Sequence, residues 1–382
     1  MKPGFDPIGG YRFSLALIAI TTALAGASGC TEANAEPRDV ERSGTALRPS
    51  ETIAAAQSAP IAATEVTAVV ASTPEEPTLT ISAVGDCTLG DPAGTERAPG
   101  SFHKVFVENG EDLARPFSGV QTVLGADDLT IANLEGTLTT ANAREGTAFS
   151  FRGKPEFAKM LSLGSVDIVN LANNHSYDCG PRGLSDTRES LRAANIGYFG
   201  VGDIDTRIVK GIEVHNLGYT GGKLDVRDEM AKAVRKLKRD DNLVIVSFHW
   251  GNEGSHESSD VQQTLGRAAI QAGADLVLGH HPHVLQGIEE YQGKKIVYSL
   301  GNFVFGGNGH PDDLDSMIFQ AKFTKKAGKV VPLGYEVVPV SFSGHKSQND
   351  FRPVLLEGAD AARVRSDVEK YSALFGGAKL TD

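Results

Sequence analysis

Six short polar clusters contain most of the side chains in this sequence that could bind a metal ion or move a proton. Each lies at the end of a predicted strand. The clusters are Gly85-Asp86, Asn133-Leu134-Glu135, Asn173-Asn174-His175, His249-Trp250-Gly251, Gly279-His280-His281-Pro282-His283 and Ser299-Leu300-Gly301-Asn302-Phe303. Because ligands collect outside the carboxyl ends of strands in α/β folds, we expect these clusters to share one pocket. Their mixed nitrogen and oxygen donors predict one or two divalent transition-metal ions (Mn, Fe or Zn) and disfavour calcium.

Each cluster alone has a simpler structural explanation, so the prediction depends on their occurring together. Gly-Asp after a strand is commonly a turn, Asn-Asn-His is commonly a loop, and His249 beside Trp250 is compatible with a packed aromatic pair. Three histidines within four residues are harder to explain by packing. An extended backbone around Pro282 would place His281 and His283 on one side and turn His280 away from them.

The segments that must position these clusters alternate between strand and helix patterns. Strands are predicted at residues 79–84, 129–133, 167–171, 243–248, 276–279, 295–299, 318–323 and 330–339. Helices are predicted at residues 155–163, 184–194, 225–239, 262–272 and 361–374. This alternation predicts one α/β domain over residues 78–382 with buried sheets.

The first 77 residues predict export and attachment to a membrane. Lys2 and Arg12 are followed by an apolar run over residues 13–27, which is short for a membrane span and typical of a signal peptide (residues 1–29). The sequence before Cys30 resembles a bacterial lipobox, although Leu is absent three positions before the cysteine. Cleavage after Ala27 is the alternative, and it would leave Cys30 as a free thiol.

Residues 30–77 are rich in Ala, Thr, Ser, Pro and Glu and contain no aromatic residue, which predicts a flexible tether. We therefore expect a lipoprotein at the outer face of the cytoplasmic membrane, in the periplasm or at the outer membrane. The chain of 382 residues is 40% hydrophobic, which excludes wholesale disorder. Its net charge of −11 argues against a nucleic-acid partner.

Two cysteines other than Cys30 lie beside the proposed site. Cys87 follows Asp86, and Cys179 follows Asp178. In an oxidising compartment a disulfide between Cys87 and Cys179 would hold the two loops together. Packed free thiols and metal ligation are the alternatives.

The ordered set of motifs resembles the CapA family of poly-γ-glutamate capsule biosynthesis, which is similar to calcineurin-like metallophosphatases. The resemblance covers about residues 79–342. It rests on Gly85-Asp86, Asn133 to Gly136, Leu171 to His175 with Asp178 and Gly180, His249 to Gly251 with Glu253, Gly279 to Gln286 and Tyr298 to Phe305. It implies a metallophosphatase-like sandwich of two sheets flanked by helices, in α-β-β-α layers. It also implies a role in making or exporting an anionic envelope polymer together with capsule synthesis and export proteins.

The resemblance also implies roles for individual residues. The metal ligands would be Asp86, Glu135, Asn174, His249, His281 and His283, and His175 would protonate the leaving oxygen. We expect supporting contacts to these residues from Asp178, Glu253, His280 and Asn302. The sequence departs from the metallophosphatase pattern at Thr88, where a histidine is typical, and one ion would therefore lose a nitrogen ligand.

Three functions are compatible with these residues. The first is a metal-dependent hydrolase that cleaves a phosphoester or amide bond in an envelope polymer. The second is a non-catalytic component of a capsule synthesis or export complex that binds carboxylates through a metal, since the overall negative charge disfavours binding a polyanion. The third is a glycan hydrolase that uses Glu253 with Asp178 or Glu135 as a carboxylate pair.

Overall fold

Strands and helices alternate along the chain from Leu79 onward. In the computed structural model, which describes residues 78–142 and 149–376, the strands are β1 (Leu79–Thr88), β2 (Asp91–Pro92), β3 (Leu129–Leu134), β4 (Thr137–Leu138), β5 (Phe151–Gly153), β6 (Ile168–Asn170), β7 (Gly197–Phe199), β8 (Ile204–Val209), β9 (Ile212–Thr220), β10 (Asn242–His249), β11 (Leu276–His280), β12 (Ile288–Tyr291), β13 (Lys294–Val297), β14 (Asn302–Phe305), β15 (Asp315–Lys326), β16 (Lys329–Ser341) and β17 (Val354–Leu355).

The α-helices are α1 (Phe102–Glu108), α2 (Gln121–Leu124), α3 (Ala158–Leu163), α4 (Gly180–Ala193), α5 (Arg227–Leu237), α6 (Asp260–Ala272) and α7 (Gly358–Ser372). Within the described ranges, none of these helices combines the length and apolar character needed to cross a membrane. The predicted signal peptide, the tether and the lipidation site Cys30 lie outside the described residues.

Two large sheets dominate the fold. The first sheet has the order β17-β16-β15-β1-β3-β6-β7, and β14 also pairs with β1. Its strands β1, β3, β6 and β7 are parallel, whereas β15 to β17 are antiparallel. The second sheet has the order β12-β13-β11-β10-β9-β8, and antiparallel pairs lie at both of its edges. A small third sheet has the order β2-β5-β4.

The apolar residues divide the molecule into layers. Ile81 of β1 and Ile245 of β10 belong to one buried cluster between the two large sheets. On the other face of the first sheet, Val84 is buried with residues of α1 to α4. On the outer face of the second sheet, Val246 is buried with Met230 of α5 and residues of α6. The predicted α-β-β-α order of layers is confirmed.

The helix that covers the centre of the second sheet has clear sequence signals at both ends. Ser259 caps α6 by accepting a hydrogen bond from the Gln262 N–H, and the Gln262 side chain accepts one from the Ser259 N–H. Gly273 ends the helix in the left-handed conformation, with φ of 116°. These local signals agree with the prediction of a helix over residues 262–272.

A close contact between β1 and the segment before β14 fixes the strand that carries Asp86. The Asp86 N–H donates to the Gly301 carbonyl over 3.0 Å. A Cβ atom at Gly85 would lie 2.1 Å from the same carbonyl oxygen. Asn302 opens β14, which pairs with β1, and it also follows the end of β13, the strand observed at the position of the strand predicted over residues 295–299.

Candidate metal centre

The carboxyl ends of strands from both large sheets meet at one site. Asp86 lies opposite Asn133 of β3 and Asn302 of β14 in the strand register, and Glu135 follows β3. In the second sheet, His249 of β10 is paired in register with His280 of β11. This arrangement agrees with the expectation that the polar clusters share a pocket.

Glu135 is at the middle of a group of imidazoles. Its Oε1 atom lies 3.6 Å from His249 Nε2 and 3.8 Å from the Nε2 atoms of His175 and His283. These separations are too long for hydrogen bonds. Glu135 is 0% exposed, and neither of its carboxylate oxygens has a hydrogen-bond partner among the described residues.

The unpartnered Glu135 carboxylate among imidazole nitrogens suits a bound cation, and without a cation its burial would cost free energy of folding. A buried carboxylate without a partner is strongly unfavourable. Two ligands of one tetrahedral ion lie roughly 3.4 Å apart when each bond is about 2.1 Å long, which is close to the distances around Glu135. His249 Nε2 and His281 Nδ1 are likewise buried without a hydrogen-bond partner in the described part of the chain.

Two overlapping sets of side chains could hold an ion. One set is Glu135, His281 and His283, and the other is Asp86, Glu135 and His249. Within each set the ligand atoms lie within 4.8 Å of one another. Glu135 belongs to both sets, so it could contact an ion held by either of them.

Asp86 is held from several sides. Its Oδ1 atom accepts a hydrogen bond from Asn133 Nδ2 over 2.9 Å and lies 3.4 Å from His280 Nδ1. Its Oδ2 atom accepts the His281 N–H over 3.1 Å and lies 3.2 Å from His283 Nδ1. The carboxylate is therefore fixed in position at the contact between the two sheets.

The loop after β11 reaches the site by a turn. His281 and His283 have φ values of 96° and 59°, so the expectation of an extended backbone around Pro282 is wrong. The two rings still share the site, with centroids 5.8 Å apart. His280 does not turn away from them, because it remains on β11, is buried and contacts the Asp86 carboxylate.

The buried charges shift the ionisation of the site. Burial raises the pKa of Glu135 well above its usual value, and the nearby Asp86 carboxylate adds to this effect. Burial alone would raise the pKa of Asp86 as well, but contacts with His280 and His283 outweigh it and hold that pKa well below the usual range. Burial lowers the pKa of His249 and His281.

His175 and Asp178 form a pair beside Glu135. His175 Nδ1 lies 2.8 Å from Asp178 Oδ2, which also accepts the Phe151 N–H over 2.6 Å. The Phe151 ring packs against the His175 ring, with centroids 4.5 Å apart. Since a carboxylate oxygen accepts hydrogen bonds, Nδ1 is the donor and Nε2 is directed towards Glu135.

A cavity of about 700 Å³ opens beside the centre and is lined by His175, His283, Asn174, Glu253 and Asn302 together with other residues. Asn302 Oδ1 lies 2.9 Å from His283 Nδ1 and orients that ring. Asn174 and Glu253 are exposed on the cavity wall. The role of Asn174 as a metal ligand stays a prediction.

Asn133 is a part of the site that the sequence analysis did not assign. Its amide donates to Asp86, lies 3.4 Å from His249 Nδ1 and accepts a hydrogen bond from Asn170 over 2.9 Å. A signal was present, because Asn133 lies in the same short cluster as Glu135. Thr88, at the position where a histidine is typical, is buried, and its hydroxyl has no hydrogen-bond partner among the described residues.

The two cysteines near the site are free and buried, which agrees with the alternative of packed free thiols and not with the possible disulfide between Cys87 and Cys179. Burial raises the pKa of the Cys87 thiol to about 12 and also raises that of Cys179. Neither thiol belongs to the ligand sets found among the described residues. Both act as small packed side chains.

Residues 80–307 match the family model described as bacterial capsule synthesis protein PGA_cap. The chain belongs to this family. The PGA biosynthesis protein CapA of Bacillus subtilis (strain 168) is 31% identical over 287 residues, which cover 69% of this chain and 71% of that protein. The capsule biosynthesis protein CapA of Bacillus anthracis is 36% identical over 177 residues, which cover 40% of this chain and 43% of that protein.

A calcineurin-like phosphoesterase, YfkN from Bacillus subtilis, is similar in structure with a TM-score of 0.44 and 13% sequence identity. The match covers 78% of this chain and 97% of that structure. The family membership that the motifs predict is thus confirmed by the sequence comparisons.

Proposed function

We propose that this chain is a metal-dependent hydrolase that acts on a poly-γ-glutamate-like polymer during capsule synthesis or export. The bond cleaved would be a phosphoester or a γ-glutamyl amide. The names of the Bacillus relatives support the pathway. The observation that supports the chemistry is the buried Glu135 carboxylate, which lacks hydrogen bonds and faces three imidazole nitrogens at 3.6 to 3.8 Å.

The residues that would hold one or two ions are Asp86, Glu135, His249, His281 and His283. Their oxygen and nitrogen donors suit Mn, Fe or Zn. An ion bound there would act as a Lewis acid and supply positive charge to the scissile group and to the attacking water.

The proton that the leaving group needs would come from His175. Asp178 Oδ2 accepts a hydrogen bond from Nδ1 of this ring over 2.8 Å. The other ring nitrogen, Nε2, is therefore free to carry a proton to the leaving atom in the cavity that His175 lines. Asn302 and Asp86 contact Nδ1 of His283 and direct its Nε2 atom towards Glu135. These contacts orient the reacting groups before a substrate binds.

We further propose that the protein is exported and anchored through a lipid on Cys30. The signal-like sequence before Cys30 and the composition of residues 30–77 support this location. Fractionation of cells that express the wild type and Cys30→Ser tests it. We expect the wild type in the membrane fraction and the variant in the soluble extracytoplasmic fraction, whereas a variant that stays with the membrane contradicts lipid anchoring.

A non-catalytic, polymer-binding role is the second candidate, and Thr88 favours it. Because the first motif supplies a hydroxyl where metallophosphatases typically have an imidazole, one ion would have fewer nitrogen donors. A site of this kind could grip a carboxylate of the polymer through a single ion without hydrolysis.

Metal analysis and a substrate panel test these functions. We expect the full-length protein to bind Mn, Fe or Zn and to cleave phosphodiester or γ-glutamyl substrates, with activity abolished by a chelator. Glu135→Gln should lose both metal and turnover, and His175→Ala should keep the metal but lose turnover by about 100-fold or more. The exposed residues Glu369 and His345 provide matched controls, Glu369→Gln and His345→Ala.

Each other outcome points to a different function. Polymer binding without turnover would support the non-catalytic role. Glycan cleavage that resists the chelator would support the carboxylate-pair hydrolase. A protein without transition metal after purification and reconstitution would overturn the proposed hydrolase.

A further inference from the structure

A chain of buried amide groups runs from the candidate metal centre to the backbone that follows β6. Asp86 Oδ1 accepts a hydrogen bond from Asn133 Nδ2 over 2.9 Å, and Asn133 Oδ1 accepts one from Asn170 Nδ2 over 2.9 Å. Asn133 and Asn170 lie opposite each other on the neighbouring strands β3 and β6. All three residues are 0% exposed. Asn170 is thus linked to the Asp86 carboxylate through Asn133.

The backbone of Ala172 fixes the direction of both amides. The Ala172 N–H donates to Asn170 Oδ1 over 3.0 Å, and Asn170 Nδ2 also donates to the Ala172 carbonyl over 3.2 Å. Because a backbone N–H can only donate, the Asn170 atom that faces it is the oxygen, and the NH₂ group faces Asn133. Asn133 must then present its oxygen to Asn170 and its NH₂ group to Asp86. The donors therefore point along the chain towards the carboxylate.

Two glycines leave the space that the Asn170 amide occupies. A Cβ atom at Gly218 would lie 2.1 Å from Asn170 Oδ1, and one at Gly200 would lie 2.8 Å from it. Gly218 belongs to β9 of the second sheet, whereas Asn170 belongs to β6 of the first sheet. The amide is therefore held between the sheets, and it cannot exchange the places of its oxygen and nitrogen without losing the contacts with Ala172.

Asp86 is the candidate ligand that this chain orients. Asn133 Nδ2 also lies 3.4 Å from His249 Nδ1, but that separation is long for a hydrogen bond, whereas the contact with Asp86 is short. On the other side of the carboxylate, Asp86 Oδ2 accepts the His281 N–H over 3.1 Å. A carboxylate that is fixed at both oxygens keeps its remaining lone pairs in one direction, which favours the binding of an ion without rearrangement.

We infer that Asn170 is a positioning residue of the metal centre, which sets the orientation of Asn133 so that Asn133 holds Asp86 in place for an ion. The inference rests on the proposed function, because it assumes that Asp86 is a metal ligand. Without the NH₂ group of Asn170, the Asn133 amide loses the contact that directs its oxygen away from Asp86. The carboxylate then loses its fixed hydrogen-bond donor and turns more freely, so an ion binds more weakly.

Calorimetric titration of the full-length protein with Mn²⁺, Fe²⁺ or Zn²⁺, whichever the wild type binds most tightly, tests this role. We expect Asn170→Ala and Asn170→Ser, whose hydroxyl is too short to reach Asn133, each to weaken ion binding by about tenfold or more. Asn242→Ala is the matched control. Asn242 is also 0% exposed and hydrogen-bonded, but it lies at the start of β10, seven residues before His249. This variant should lower the melting temperature and keep the wild-type affinity.

A double-mutant cycle separates positioning from packing. If Asn170 acts through Asn133, Asn170→Ala should weaken ion binding in the wild-type background and have no further effect on affinity in an Asn133→Ala background. Its effect on the melting temperature should appear in both backgrounds. Equal losses of affinity in the two backgrounds, or a wild-type affinity in the Asn170 variants, would overturn the positioning role alone. A wild-type protein that binds none of these ions would overturn the inference together with the proposed function.

Discussion

His283 holds a proton that an ion binding at the candidate centre would have to displace. Burial alone would lower the pKa of His283, but the carboxylates of Glu135 and Asp86 outweigh it and raise that pKa to about 10. The ring is therefore protonated at pH 7 in the metal-free protein. A nitrogen ligand must give up its proton to bind a metal, so under the proposed function ion binding and proton release would be coupled at this residue.

We predict that ion binding at pH 7 releases at least about one proton, and that the apparent affinity rises by up to about tenfold per pH unit between pH 6 and pH 8. Titration calorimetry with Mn²⁺ in two buffers of different ionisation enthalpy measures the proton count. His345→Ala should behave as the wild type, whereas His283→Ala should lose affinity and release fewer protons. An affinity that is the same at pH 6 and pH 8 would contradict the coupling.

Among the elements, β1 is the one that fixes the centre. It pairs with β3, β14 and β15, and its Gly85 lies against the backbone of Gly301. The next residue, Asp86, hydrogen-bonds to that backbone. Any movement at this contact would displace both Asp86 and the strand that begins at Asn302.

We predict that Gly85→Ala lowers the free energy of unfolding by roughly 1–3 kcal/mol or more and weakens metal binding, because the new methyl group would overlap a backbone oxygen. Gly222→Ala is the matched control, since no heavy atom lies within 4 Å of its added Cβ. Denaturant unfolding and metal titration of both variants measure the effects. A Gly85→Ala protein with wild-type stability would show that β1 and β14 can separate without cost.

The sequence predicted most of the buried elements but not the backbone of the loops. Strand β10 was predicted because its Val, Ile and Leu residues are buried on both faces. Strand β8 was not, because it is an edge strand and leaves Ile208 76% exposed. The histidine cluster was recognisable by composition. The left-handed turns at His281 and His283 depend on tertiary contacts, such as the Asp86 hydrogen bond, that no local pattern specifies.

At the scale of the whole molecule, the apolar layer between the two large sheets holds the site together. Asp86 lies on a strand of the first sheet and Glu135 directly follows one, whereas His249 lies on a strand of the second sheet and His281 directly follows one. Phe319 of β15 is fully buried in this layer. Loss of packing there would loosen the contact between the two halves of the centre.

We predict that Phe319→Ala destabilises the protein by about 3–5 kcal/mol, the usual cost of removing a buried aromatic ring. Thermal unfolding followed by circular dichroism measures this change, and a lower metal affinity should accompany it. Ile208→Ala, at a residue that is 76% exposed, is the control and should change stability by less than about 0.5 kcal/mol. Equal melting temperatures for the two variants would contradict the role of this layer.

The direction of β1 has a practical consequence. Leu79 begins this strand and Asp86 lies seven residues further on, which corresponds to about 23 Å along an extended backbone. The described chain thus enters β1 at the end of the strand that is away from the candidate metal centre. A surface or carrier coupled at Thr78 would be attached about 23 Å from Asp86, which suits oriented immobilisation of the described domain.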